Sequence, residues 1–174
     1  MQLTRAADYA IRVMVHLATL LARERVLLPV LAEATGAPES FLSKVLQALS
    51  RAKLISSRRG QSGGFEILAR GREASMLEVI EAIDGPLNLN VCLISGESCV
   101  RKRWCPAHPV WVQAQKAMLD VLSNAAIADL ACQAPAPHAR ASRAASRMLV
   151  CNCKLAVDWQ TSDVPKTLHL SVDT

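Results

Sequence analysis

Apolar residues recur at helical spacing near the start of the chain and predict a first helix there. Thr4 can cap this helix, because a threonine hydroxyl accepts a hydrogen bond from the first turn. The apolar positions are spaced so that they share one helix face. They are Tyr9, Ala10, Val13, Met14, Leu17 and Leu21. The sequence therefore predicts an amphipathic helix that buries one face in a core.

A short helix, a turn and a longer helix are predicted next. RERVLL is a strand candidate, Pro29 opens the short helix and Gly36 ends it. The longer helix, in APESFLSKVLQALSRAK, has two faces. Its apolar stripe comprises Leu42, Val45, Leu46 and Leu49, and its polar stripe comprises Ser40, Ser43, Lys44 and Gln47. This order is typical of a helix-turn-helix that contacts DNA, although an ordinary amphipathic surface helix would show the same stripes.

A glycine-rich basic hairpin is predicted directly after that helix. LISS and FEIL are strand candidates, and RRGQSGG between them forms the turn. Arg58 and Arg59 place two guanidinium groups at the tip, beside Gly60, where they could bind phosphates or the narrow minor groove. A basic hairpin after a helix-turn-helix is a wing, and the combination favours DNA binding.

Three further helices are predicted in the second half. SMLE forms a capping box between Ser75 and Glu78. A long helix begins near Pro109, and SNAAIADLA forms a short last helix. The apolar face of the long helix comprises Val110, Ala114, Ala117, Met118, Val121 and Leu122. This face suits a partner helix in a two-fold dimer, although packing within one chain would give the same pattern.

The positive charge is concentrated in the first part of the chain. Residues 1–74 contain eleven Lys and Arg against six Asp and Glu, whereas residues 75–174 contain nine of each, so the first part carries the whole net charge of +5. A polyanion such as double-stranded DNA is the expected partner of such a segment. No apolar run approaches the ~20 residues of a membrane span, and charges interrupt the N-terminal stretch. We therefore expect a cytoplasmic protein without a membrane partner.

These elements predict a mainly α fold with a small β-wing. Residues 1–74 form a winged helix-turn-helix domain, and residues 75–132 form a loop and dimerisation helices. Residues 133–174, rich in alanine, proline, serine and arginine at their start, predict a disordered tail. The tail contains Cys151 and Cys153, to which no function is assigned. No nucleophile, base and orienting group form a recognisable set, so an enzyme is not expected.

The loop NVCLISGESCVRKRWCPAHPVW contains three of the six cysteines, Cys92, Cys99 and Cys105, with six and then five residues between them. In a reducing compartment, clustered cysteines are more often metal ligands or reactive thiols than disulfides. Zinc sites usually have tighter spacing inside each ligand pair, so these gaps favour an iron–sulfur cluster. His108 is close enough to supply a fourth ligand. A zinc site, a thiol switch that uses Cys92 and Cys99, and an electron-transfer protein are the alternatives.

Several motifs together resemble the Rrf2 family of winged-helix iron–sulfur transcription regulators. The motifs are MQLTRAADYAIRVMVHLA, PESFLSKVLQAL, SSRRGQSGGFEIL, VIEAIDGPL, CPAHPVW and IADLA, within about residues 1–132. The resemblance implies a homodimeric regulator, expected to be a repressor, that binds an inverted-repeat operator and whose two-iron or four-iron cluster controls DNA affinity. Cys92, Cys99 and Cys105 match the cluster ligands of the family. Ser40, Ser43, Lys44, Arg59, Gly60 and Gln61 match its recognition helix and wing.

The resemblance offers two candidates for the fourth cluster ligand. His108, in CPAHPVW, falls where regulators of cluster biogenesis have theirs. Asp8, in RAADYA, falls where some nitric-oxide sensors supply a carboxylate from the other subunit. The first cysteine gap is one residue longer here than in those two groups, so neither assignment transfers directly. Nitric oxide, redox state, and iron or cluster supply all stay open as the signal.

Overall fold

The computed structural model describes residues 3–60, 63–94 and 99–134, and within them the chain is mainly helical with one two-stranded antiparallel sheet. The prediction of a mainly α fold with a small β-wing is confirmed. The helices are α1 (Arg5–Thr19), α2 (Leu28–Thr35), α3 (Glu39–Arg51), α4 (Ala69–Glu73), α5 (Met76–Asp84), α6 (His108–Asn124) and α7 (Ile127–Gln133). The strands are β1 (Ile55–Arg58) and β2 (Gly64–Ile67), and Val91–Leu93 form a single 3-10 turn.

Helix α1 is capped at both ends by side chains. The Thr4 hydroxyl accepts a hydrogen bond from the backbone N–H of Ala7, as predicted. At the other end, Arg72 donates to the carbonyl oxygens of Ala18 and Leu20, both at 2.7 Å. The prediction that Leu21 continues the buried face is wrong: the helix ends at Thr19, and Leu21 is 64% exposed. The backbone is extended at Leu20, and this change of direction places Leu21 away from the core.

The core is aliphatic and is built around α1. Helix α3 contributes its whole apolar stripe of Leu42, Val45, Leu46 and Leu49, all of them buried. The same core includes Val79 of α5 and Ile127 of α7. Helices from both predicted segments, 1–74 and 75–132, therefore pack on α1. That the two segments have separate functions stays a prediction.

The wing is the hairpin of β1 and β2, whose register pairs Ile55 with Ile67 and Arg58 with Gly64. Both isoleucines are buried, which fixes the base of the hairpin in the core. The strand candidate RERVLL is reduced to one bridge, in which Val26 pairs with Phe65.

Helices α5 and α6 differ in how they are held. The predicted capping box is present at the start of α5, where Ser75 and Glu78 each accept from the other's backbone N–H. Helix α6 contains no fully buried residue and packs on α5 through half-buried side chains that include Met118 and Leu122.

No helix within the described residues is long and apolar enough to cross a membrane. The predicted tail, with Cys151 and Cys153, lies outside the described residues from position 135 onward.

Candidate DNA-binding surface and thiol loop

Helix α3 turns its polar stripe outward because its apolar stripe is locked into the core. Ser40, Lys44 and Gln47 are exposed, and Ser43 is half-buried. The structure therefore presents on one surface the four side chains that the sequence predicted for DNA contact.

A groove of about 400 Å³ separates α3 from the wing. Ser43, Gln47 and Arg51 line it on the helix side, and Arg58 and Arg59 line it on the wing side. Arg51 was missed in the sequence, although it continues the polar stripe four residues after Gln47. The groove, which Ser50 and Ser57 also line, brings three guanidinium groups together with four neutral polar residues, a set suited to phosphates and base edges.

Three of the predicted DNA-binding residues that the structure describes do not line this groove. Ser40 and Lys44 lie elsewhere on the exposed face of α3. Gly60 has a φ of 103°, and its carbonyl accepts from the N–H of Gly63 at 2.9 Å, which closes the turn of the wing. Gln61 lies outside the described residues.

The cations of this surface are free of carboxylate partners within the described residues. The ion pairs there are Asp8–Arg12, Arg25–Glu66 and Arg70–Glu78. Lys44, Arg51, Arg58 and Arg59 take part in none of them. Unpaired guanidinium and ammonium groups can bind phosphates without first breaking an internal ion pair.

The three cysteines of the loop lie around one cavity of about 360 Å³. Cys92 sits in the 3-10 turn, half-buried like Cys105, whereas Cys99 is exposed, and all three thiols are free. Arg101 and Lys102 line the same cavity. Within the described part of the chain, no three His, Cys, Asp or Glu side chains come close enough together to hold a single metal ion. The thiols share a cavity wall but are not gathered around a point.

His108 is placed beside these thiols by the start of α6. Its backbone N–H donates to the carbonyl of Cys105 at 3.2 Å. Its Nδ1 is buried and has no hydrogen-bond partner within the described part of the chain, an arrangement that costs free energy unless another group satisfies it. With Cys92 and Lys102, His108 also lines a second cavity, of about 420 Å³.

Asp8 is in a different setting. It lies on α1, is exposed and pairs with Arg12 at 2.8 Å. It lines neither cavity of the thiol loop. Of the two candidate fourth ligands, His108 is therefore the one beside the thiols within a single subunit.

Gln115 of α6 holds the segment that leads to Cys92. Its Oε1 accepts from the backbone N–H of Leu89 at 3.0 Å, and its Nε2 donates to Oδ1 of Asn88 at 3.4 Å. Gln115 was missed in the sequence because a single polar residue in a helix gives no periodic signal.

Comparison with protein families gives a match over most of the chain. A family model described as Rrf2, iron-dependent transcriptional regulator, matches residues 3–133. The chain belongs to the Rrf2 family. The Rrf2 segment thus includes α3, the wing, the thiol loop and α6, and it ends where the predicted tail begins.

Two relatives of this Rrf2 protein are named as transcriptional regulators. A Mycobacterium tuberculosis protein named as an HTH-type transcriptional regulator is 34% identical over 131 residues, which are 75% of this chain and 81% of the relative. The HTH-type transcriptional regulator NsrR of Geobacillus kaustophilus is 31% identical over 131 residues, 75% and 89% of the two chains. This Rrf2 protein is accordingly an HTH-type transcriptional regulator and not an enzyme, and its family implies DNA binding.

Among solved structures, CymR, the global cysteine regulator of B. subtilis, superposes on this Rrf2 protein with a TM-score of 0.63. The two chains are 21% identical, and the match covers 78% of this chain and 99% of CymR. At this identity the likeness shows a shared fold, which is the winged helix-turn-helix with its two-stranded wing.

Proposed function

We propose that this Rrf2 regulator is a homodimer whose operator binding is controlled by an iron–sulfur cluster held in the thiol loop. Residues 1–74 would bind DNA, and residues 75–132 would carry the cluster and the dimer interface. The observation that carries the proposal is the shared cavity of Cys92, Cys99 and Cys105. Thiolates are the usual ligands of iron–sulfur clusters, and the family description is iron-dependent.

The donor set fits a cluster better than a single zinc ion. Zinc needs its ligand atoms within about 2.3 Å of one point, and the thiols are not gathered in that way. A two-iron or four-iron cluster offers several iron atoms, so separated thiolates can each reach one. Arg101 and Lys102 line the cavity and would offset the negative charge of a thiolate-bound cluster.

His108 is the fourth ligand that we propose. The unpartnered, buried Nδ1 of its ring supports this choice, since imidazole nitrogen is a common ligand of iron. Asp8 would have to arrive from the partner subunit after its ion pair with Arg12 had been given up.

Anaerobic purification tests the cluster. The protein should be brown, absorb visible light and contain iron and acid-labile sulfide, whereas Cys92→Ala, Cys99→Ala and Cys105→Ala should each lose most of the colour. The matched control is Cys151→Ala with Cys153→Ala, which removes two thiols beyond the family segment and should leave the spectrum intact. A colourless protein that binds zinc, or whose DNA affinity follows oxidation of Cys92 and Cys99, would overturn the proposal in favour of a zinc-bound regulator or a thiol switch.

The fourth ligand is tested by two substitutions in the cluster-loaded protein. His108→Ala should alter the spectrum or shorten the lifetime of the cluster, and Asp8→Ala should leave both unchanged. The reverse result, with intermediate loading in mixed dimers, would assign the ligand to Asp8 of the partner. A cluster unaffected by either substitution would point to a tail thiolate, water or a small molecule.

The exposed face of α6 supports the dimer. Val110 is 63% and Val121 is 70% exposed, so the outer half of the predicted stripe is available to a second copy. A two-fold dimer that inserts two copies of α3 into successive major grooves should select an inverted repeat whose half-sites are about one helical turn apart. Val121→Lys should shift the mass in solution from dimer to monomer, and a monomeric unmodified protein would contradict the assignment.

Control by the cluster requires that its presence changes operator affinity. Allosteric coupling is commonly 1–3 kcal/mol, so the cluster-free Cys99→Ala dimer should differ in affinity or site preference by roughly 5- to 150-fold. Both proteins are compared on one operator at one salt concentration, after their dimer masses have been confirmed. Equal affinity and equal preference would mean that the thiols serve the fold and do not regulate DNA binding.

A further inference from the structure

The wing is held by a third segment of chain as well as by its own two strands. The backbone N–H and carbonyl of Val26, between α1 and α2, exchange two hydrogen bonds of 2.9 Å with Phe65 of β2. The approach is so close that a Cβ on Gly64, which has a φ of 128°, would lie 2.8 Å from the carbonyl oxygen of Val26. The outer half of the hairpin, next to Arg58, is therefore fastened to the α1–α2 connection.

An ion pair adjoins this contact. Arg25 Nη2 lies 2.8 Å from a carboxylate oxygen of Glu66, and the two side chains are only 24% and 17% exposed. Nη2 also lies 3.5 Å from the hydroxyl of Ser56, which faces Glu66 across the hairpin. The Nη1 atom of Arg25 is buried and has no hydrogen-bond partner among the residues that the structure describes, so the guanidinium has lost much of its hydration and depends on Glu66 for compensation.

The ion pair lies on the face of the wing that turns away from the groove. Side chains alternate between the two faces of a strand. Ser57 and Phe65 form the neighbouring register pair and line the groove with α3, whereas Ser56 and Glu66 do not line it. Arg58 alternates with Ser57 but, as the last residue of β1 before the turn, also lines the groove. Arg25 therefore contacts the face of the wing opposite the groove.

We propose that Arg25 and Glu66 are positioning residues for DNA binding, because their ion pair holds the wing at the angle from which Arg58 and Arg59 face α3. The inference rests on the DNA-binding role of the protein. A two-stranded hairpin is marginally stable by itself. Buried isoleucines anchor the base of this one, and beyond them the Val26–Phe65 bridge and the adjoining ion pair hold it. Without the ion pair, the outer half of the wing would occupy its DNA-competent position for a smaller fraction of the time.

The expected loss of DNA affinity follows from the fraction of molecules whose wing is in the DNA-competent position. The apparent dissociation constant rises in inverse proportion to the population of the competent state. We expect a rise of about threefold to tenfold in either single variant, which corresponds to a fall of the competent population to about a third to a tenth of its former value. The slope of log affinity against log salt should stay unchanged, since no phosphate contact is lost.

The sign of the effect of Glu66→Gln separates positioning from simple electrostatics. Removing a carboxylate from a basic DNA-binding wing should strengthen binding if charge alone matters, whereas the proposal predicts weaker binding. Arg25→Gln should weaken binding with an unchanged salt slope. The charge-swapped double variant Arg25→Glu with Glu66→Arg should recover most of the affinity, and Arg23→Gln, at an exposed arginine of the same connection, is the matched control with little effect.

The measurements use the full-length protein and the duplex that it selects from a randomised pool, titrated over a range of salt concentrations. Thermal unfolding of each variant shows whether the core is intact. Unchanged or tighter binding by Glu66→Gln, or a salt slope smaller by ~1 in Arg25→Gln as for a lost phosphate contact, would overturn the proposal. Arg59→Ala distinguishes failure of this proposal from failure of the DNA-binding role of the wing. If Arg59→Ala leaves binding unchanged, the wing does not contact DNA. If Arg59→Ala weakens binding and the ion-pair variants do not, only the positioning role of the ion pair is refuted.

Discussion

Replacing Gln115 by leucine should loosen the thiol loop without unfolding the protein. The substitution removes the 3.0 Å bond to Leu89 and the 3.4 Å bond to Asn88. A neutral hydrogen bond contributes about 0.5–1.5 kcal/mol, and the second bond is at the long end of the range. The loss of both should therefore favour opening of the segment by about 1–2 kcal/mol, or about 5- to 30-fold in its local equilibrium.

The half-buried thiol of Cys92 reports this opening. In the reduced, cluster-free protein, the rate at which a thiol reagent modifies Cys92 is measured peptide by peptide by mass spectrometry. Gln115→Leu should raise that rate about 5- to 30-fold, because the thiol becomes accessible when the segment opens. Gln113→Leu is the matched control, since Gln113 is exposed on the same helix. Equal rates in the two variants would refute the role given to Gln115, whatever the outcome of the cluster experiments.

Three further outcomes follow from the packing and charge of the domain. Arg59→Ala should weaken DNA binding and reduce the slope of log affinity against log salt by ~1. Arg72→Met should lower the free energy of unfolding in urea by about 2–3 kcal/mol, because it removes two charge-assisted hydrogen bonds of 2.7 Å from the end of α1. Burial lowers the pKa of His16 below its ordinary 6.5, against an opposing effect of Glu24. The stability that neutral His16 contributes is therefore present above pH 6.5 and lost as the pH falls through the lowered pKa, and His16→Gln should flatten that part of the melting-temperature profile.

The elements that the sequence predicted well are those whose signal is local. The stripe of Leu42, Val45, Leu46 and Leu49 is periodic, the capping box of Ser75 is a fixed spacing, and the glycines of the wing mark a turn. Leu21 was assigned wrongly because a periodic pattern does not record where the backbone leaves the helix. That end is held by Arg72, which lies 52 residues after Leu20 in the chain.

The site was predicted as far as residue type and spacing define it. Cysteines are rare enough for three in one loop to be noticed, and Arg51 could have been found by extending the stripe of α3. Contacts between residues that are distant in the sequence give no comparable sequence signal. Arg25 and Glu66 lie 41 positions apart and look like ordinary surface charges in the sequence, and Gln115 looks like one of several polar residues on a helix.

The packing of α5 on α1 limits how a change in the thiol loop can reach helix α3. Helix α5, which precedes the loop, is joined to α1 by buried side chains and by two hydrogen bonds that Thr4 donates to the carboxylate of Asp84. Tightly packed cores resist small deformations, so a change in the loop cannot tilt α3 against α5 at low cost. Helix α6 buries no residue fully, which makes it the part that can shift. If a cluster orders the loop and the protein is the dimer that we propose, loss of the cluster should act through α6. It should then change the spacing between the two copies of α3 rather than the contacts that each makes within its half-site.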